Sequence, residues 1–143
     1  MSASKKIIVG VDGSDGSRQA LTWAISEAKL RGCAIEIVHV WNFTPPLDPV
    51  GGFVLIPDKD LQESAQLFVD NLLKSVSETD SSISMTAHVE RGAASQILLN
   101  RAKNAELLVV GRRGHGGFIG LLIGSTATQV SQHAQCPVVI VPV

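Results

Sequence analysis

Five short apolar runs alternate along this chain with four stretches whose apolar residues recur every three or four positions, and that alternation narrows the possible folds more than any other feature. Ile7-Ile8-Val9-Gly10-Val11 is closed by Asp12, Gly13 and Ser14, as expected of a strand buried on both faces that ends in a turn. Leu21, Ala24, Ile25 and Ala28 follow at helical spacing, with Gly32 where a C-terminal cap belongs. Ala34 to Trp41 reads as a second strand, and Leu61, Ala65, Phe68, Leu72 and Val76 as the stripe of a second helix starting near Asp60. Ile83 to Val89 is a weaker, more alternating strand suited to a sheet edge. Ala94, Ile97, Leu98 and Ala102 predict a third helix, and Leu107 to Val110 a fourth strand running into Gly111. Ile123, Ala127, Val130 and Ala134 lie on one face of a fourth helix, and Val138 to Val143 forms a last strand entered through Pro137. The order βαβαβαβαβ implies a doubly wound α/β domain: a parallel sheet with right-handed crossovers and helices on both faces. In such sheets ligands sit beyond the carboxyl ends of the strands, where the strand order reverses.

Composition bounds the function. The length of 143 residues fits one domain, 1-143, and 45% apolar residues against 17% charged supply a substantial core. Twelve Lys and Arg against thirteen Asp and Glu give a net charge of -1, so no global basic field exists to hold nucleic acid or an acidic membrane, and any anion site must be local. Cys33 and Cys136 are too few for a disulfide framework, have no metal-ligand spacing, and read as buried small hydrophobes. The apolar run behind Lys5 and Lys6 is far shorter than a signal h-region or a membrane span, so a cytoplasmic protein is expected. Asn42 to Pro57 holds four prolines and two adjacent glycines, which makes it the one long connection; exposed loop is the more economical reading of it than a lid carrying Phe53.

The chemistry concentrates after strand four. Five glycines, Gly111, Gly114, Gly116, Gly117 and Gly120, precede Gly124-Ser125-Thr126 at the start of the fourth helix. A glycine loop feeding a helix amino terminus offers unpaired N–H groups and the positive end of the helix dipole to an anion, and Ser125 and Thr126 add hydroxyls. The pattern Gly-x2-Gly-x9-Gly-Ser is not a Walker loop, since no Lys follows Gly124, and not the dinucleotide fingerprint, which would follow strand one. A plain flexible turn is the competing reading, and the order strand end, glycine loop, helix start favours phosphate binding over it. Asp12 either caps helix one or forms an Asx turn through Ser14. If strands one and four are neighbours, it also faces the same crevice as Gly111, where a carboxylate can bind a ribose hydroxyl or a phosphate-held metal. Arg112 and Arg113 either offset phosphate charge or are simply solvated, and His115 either reaches a phosphate or only interrupts the glycines.

The run Lys6 to Ser14, the segment Val38-His39-Val40, the Gly111 to Ser125 signature and the closing Cys136-Pro137-Val138-Val139-Ile140-Val141-Pro142 together resemble the universal stress protein family, in its ATP-binding branch, over nearly the whole chain. The resemblance implies a five-stranded parallel sheet of order 3-2-1-4-5. It implies that the motif filled by Gly111, Gly114, Gly124 and Ser125 binds phosphates and ribose. It places Asp12 at the nucleotide, gives Val40 backbone hydrogen bonds to adenine, and sets Thr126 beside Ser125 at the phosphates. It further implies a homodimer paired through Val138, Val139, Ile140 and Val141; the charge balance adds the expectation of no nucleic acid or membrane partner.

Magnitudes limit what the loop can do alone. Micromolar affinity needs about -8 kcal/mol, whereas a helix terminus gives roughly 0.3 to 1 kcal/mol and each neutral hydrogen bond about 1. An apolar adenine slot formed by strand ends such as Val11 and Val40 must add burial. Three functions stay open: a cytoplasmic, dimeric stress-response module holding ATP with Mg2+, a slow ATPase, or a nucleotide-free structural dimer. No acid/base pair with a third orienting residue is identifiable, which argues against efficient turnover.

Overall fold

The computed structural model describes residues 5–42, 50–52, 58–113 and 123–142. It contains β1 (Lys6–Val11), α1 (Asp15–Arg31), β2 (Ala34–Trp41), α2 (Asp58–Thr79), β3 (Met85–Arg91), α3 (Ala94–Arg101), β4 (Leu107–Gly111), α4 (Ser125–His133) and β5 (Val138–Val141). The five strands form one parallel sheet in the order β3-β2-β1-β4-β5, with β1 at the centre. The doubly wound topology expected from the sequence is therefore the one observed.

Period-two alternation divides β1 between two cores. Ile7, Val9 and Val11 pack with Leu21, Ala24 and Ala28 of α1, and Phe68 and Leu72 of α2 lie against the same cluster. Ile8 faces the other way, with Val38 of β2, Leu98 of α3 and Ala127 and Val130 of α4. Helices thus cover both faces, and Ile7, Ile8 and Val9 are all fully buried, which is why β1 reads as an unbroken apolar run.

Boundaries differ from the sequence reading by about two residues at β3 and α2. β3 begins at Met85 because Asp80 first forms an Asx turn, its Oδ1 accepting from the Ser82 amide at 3.0 Å. β5 ends at Val141, ahead of Pro142. Cys33 is buried as expected, whereas Cys136 is half-buried. At the amino ends of the strands a buried carboxylate, Glu36, gathers nitrogen groups from three other elements: Lys6 Nζ at 3.0 Å, His88 Nε2 at 3.0 Å and Arg101 Nη1 at 2.6 Å. Arg101 also pairs with Glu90, so α3 is tied by charge to β2 and β3 beside its apolar packing.

Candidate functional site

A cleft opens beyond the carboxyl ends of β1 and β4, the adjacent strands at which the strand order reverses. Val11, Val110, Val38 and Val40 from three strand ends, with Ala94 and Leu98 of α3, give it an apolar part. Asp12, Ser14 and Ser17, the segment 111–113 and the segment 124–126 give it a polar part. Six of the seven residues singled out from the sequence therefore line one cleft: Asp12, Val40, Gly111, Gly124, Ser125 and Thr126. Gly114, like His115 and most of the 42–57 connection, lies outside the described residues.

The turn after β1 is held by a closed set of hydrogen bonds. Asp12 Oδ1 accepts from the Ser14 amide at 2.9 Å and from the Ser14 hydroxyl at 2.5 Å, so Asp12 takes the Asx-turn role. Capping of α1 falls to Ser14 and not to Asp12: Ser14 Oγ accepts from the Ser17 amide at 3.2 Å. Ser17 closes the set, its hydroxyl donating to Ser14 O at 3.0 Å and accepting from the Asp12 amide at 3.3 Å. Ser17 is 5% exposed and was not legible as a site residue, since a serine in a first helical turn reads as an ordinary helix-start residue. Gly13, at φ 87°, supplies the left-handed residue the turn needs.

On the other side of the cleft, the Arg112 amide donates to Val141 O at 2.9 Å, extending the β4–β5 ladder, and Arg112 O accepts from the Gly124 amide at 2.7 Å. The two ends of the glycine-rich stretch are thereby brought together. Gly124 is the N-cap of α4 and contributes no capping side chain; the first bond into the helix runs from Thr128 N to Gly124 O, 3.0 Å. The amides of Ser125, Thr126 and Ala127 consequently have no acceptor within α4, and all three residues line the cleft. Arg112 Nε is buried with no hydrogen-bond partner among the described residues.

Gly111, which lines the cleft, also meets a packing demand of its own. A Cβ built on it would lie 2.7 Å from the carbonyl carbon and 2.8 Å from the carbonyl oxygen of Gly16, so its missing side chain admits the first turn of α1 against the end of β4. Gly10 similarly makes room for Leu98 of α3, whose Cδ1 would be 2.8 Å from an added Cβ. The contribution of Ala94 and Leu98 was missed from sequence because both sit on the core stripe of α3.

Comparison with known proteins agrees with this architecture. The family model described as the universal stress protein family matches residues 3–142. A universal stress protein of Mycolicibacterium smegmatis is 33% identical over 135 residues, covering 94% of this chain and 45% of that protein, so the chain spans about half the length of the curated relatives it matches. Among solved structures, universal stress protein UspA from Lactobacillus plantarum superposes with a TM-score of 0.78 at 24% identity, covering 98% of this chain and 99% of that one. A universal stress protein in complex with cAMP gives a TM-score of 0.69 at 23% identity, covering 99% and 98% of the two chains. An Arabidopsis thaliana family member with AMP bound gives 0.64 at 18% identity, covering 96% and 91%. With its strand order, its cleft and a family match over almost its full length, the chain belongs to the universal stress protein family.

Proposed function

We propose that residues 1-143 form a single nucleotide-binding domain that holds ATP in the cleft at the ends of β1 and β4, and that it works as a cytoplasmic stress-response module whose partner choice depends on occupancy. The observation that carries this reading is the convergence on one cleft of bare α4 amides, an oriented Asp12 and an apolar wall. Phosphates fit the α4 terminus, where the amides of Ser125 and Thr126 have no helical acceptor and both residues line the cleft. Arg112 and Arg113 favour a ligand with several negative charges, which is why ATP is preferred to AMP. Adenine fits against Val11, Val38 and Val40, with Val40 offering its backbone, and Asp12 fits a ribose hydroxyl. Two family neighbours carry AMP or cAMP, which supports the adenine half of the assignment.

Mg2+ would be held chiefly by phosphate oxygens, with Asp12 as the carboxylate in the cleft, because among the described residues no three metal-ligating side chains cluster. Homodimerisation is proposed through β5, an edge strand whose four residues are all only half-buried. Titration calorimetry with ATP, AMP and cAMP, with and without Mg2+, tests the assignment. ATP should bind in the micromolar range and more tightly with Mg2+, and phosphate release over hours should stay negligible. Absence of measurable binding by any of the three nucleotides refutes it.

A further inference from the structure

His39 lies on the α1/α2 side of the sheet, since Val38 and Val40 on either side of it pack towards α3 and α4, and it does not line the cleft. Its ring is clamped by Phe68 of α2, centroid to centroid 4.8 Å with the planes tilted by 58°. Its Nδ1 lies 2.8 Å from the carbonyl oxygen of Val11. A carbonyl only accepts, so Nδ1 carries the proton and donates.

Val11 O and the Asp12 amide belong to the same peptide unit, and that unit is planar and rigid. Its oxygen end is held by His39 across the sheet, and its N–H end by Ser17 Oγ at 3.3 Å. Two contacts on opposite ends of one plane fix its rotation about the chain direction, and because the Ser14 amide and hydroxyl hold Asp12 Oδ1 within the same turn, the carboxylate follows that plane. From these contacts we infer that His39 is a positioning residue for the nucleotide site: through the Val11–Asp12 peptide it aims the Asp12 carboxylate into a cleft that His39 itself never touches. The inference rests on the adenine-nucleotide reading for its ligand and on the hydrogen bonds alone for its orienting role. A second consequence is a physical route from α2 to the cleft, because Phe68 sets the ring and the ring sets the peptide.

The test uses two substitutions. In H39N the amide Nδ2 stands two bonds from Cβ, as Nδ1 does, and can donate to Val11 O; H39L cannot. Each variant is checked by circular dichroism and assayed well below its melting temperature. ATP affinity should fall about fivefold to tenfold in H39L, in line with the loss of one net hydrogen bond and a misdirected carboxylate, and return to within about twofold of wild type in H39N. In a D12A background the H39L effect should vanish, because the residue it acts through is gone. Equal loss in H39N and H39L, or an undiminished H39L effect on D12A, overturns the positioning role in favour of simple packing. Should wild-type protein bind no nucleotide, the ligand reading falls and the orienting role is read without it. Hydrogen exchange at the Asp12 amide should then be faster in H39L and restored in H39N, and imidazole 15N shifts should report the Nδ1–H tautomer. Unchanged exchange in H39L, or the Nε2–H tautomer, overturns the orienting role.

Discussion

Substituting Gly111 by Ala adds one methyl group at the point where β4 meets α1. The methyl carbon would stand 2.7 Å from Gly16 C, 2.8 Å from Gly16 O and 3.2 Å from Gly16 Cα, all backbone atoms that no rotamer change can move aside. Relief requires α1 to lift from the sheet end, an overpacking cost of about 2 to 3 kcal/mol. Gly111 is not among the glycines with positive φ, so Ala recovers roughly 0.4 to 1 kcal/mol by restricting the unfolded chain. The net is a loss of about 2 kcal/mol, or about 6 °C in melting temperature for a chain of this size. Gly10→Ala is the internal control: its methyl meets Leu98 Cδ1 at 2.8 Å, the far end of a side chain, and should cost about half as much. Urea unfolding followed by circular dichroism gives both values. An unchanged midpoint for Gly111→Ala, or a larger loss for Gly10→Ala, refutes the assignment of Gly111 to backbone packing.

Other parts of the molecule make separate outcomes testable. The side-chain bond from Lys29, then the hydroxyl and amide of Ser82, hold the Asp80 carboxyl down at about 2 from an ordinary 3.8, so this group favours the folded state above its unfolded value and loses that contribution as pH falls towards about 2. Asp80→Asn should therefore flatten the acid limb of the stability profile between about pH 4 and 2 in urea titrations, and an identical limb would contradict the pairing. Burial, reinforced for Cys33 by the nearby Glu106, pushes the Cys33 and Cys136 thiols upward. Both should react with a disulfide reagent much more slowly in native than in urea-unfolded protein at pH 8, and equal rates would show the thiols to be accessible. Pro137 O, just before β5, accepts from Leu108 N and Val141 O accepts from Arg112 N, just after β4, so in a parallel ladder Val139 also faces β4, whereas the N–H and C=O of Val138 and Ile140 point to the free edge. Ile140→Pro removes one of those outward donors and should convert a dimer to monomers in sedimentation velocity; an unaltered mass places the interface elsewhere.

Much of the fold was legible because the strands carry a simple signal. The runs at Ile7–Val11 and Leu107–Val110 are apolar at consecutive positions, as only strands covered on both faces are, and that alone implies helices on both sides. Strand ends were less legible: nothing in Ile83 or Ser84 distinguishes a β-residue from the exit of an Asx turn anchored at Asp80. Of the site, the β4–α4 half was visible as glycine spacing, and Asp12 as a turn residue. The α3 wall was not, because Ala94 and Leu98 reach the cleft only through long-range packing that periodicity cannot reveal. His39 was invisible for the same reason: its partner Val11 is 28 residues away in sequence and contributes only a main-chain oxygen.

The 2.7 Å bond between Arg112 O and the Gly124 amide fastens the start of α4 directly to the end of β4. The seat of α4 on the sheet is thereby set by described neighbours: this bond at its start and the packing of Ala127 and Val130 along it. Between two points joined in this way the entropic cost of a change in chain length grows only with the logarithm of that length, so sequence change there leaves α4 on the sheet. Evolution is thereby given a region it can rewrite for a new ligand without refolding the domain.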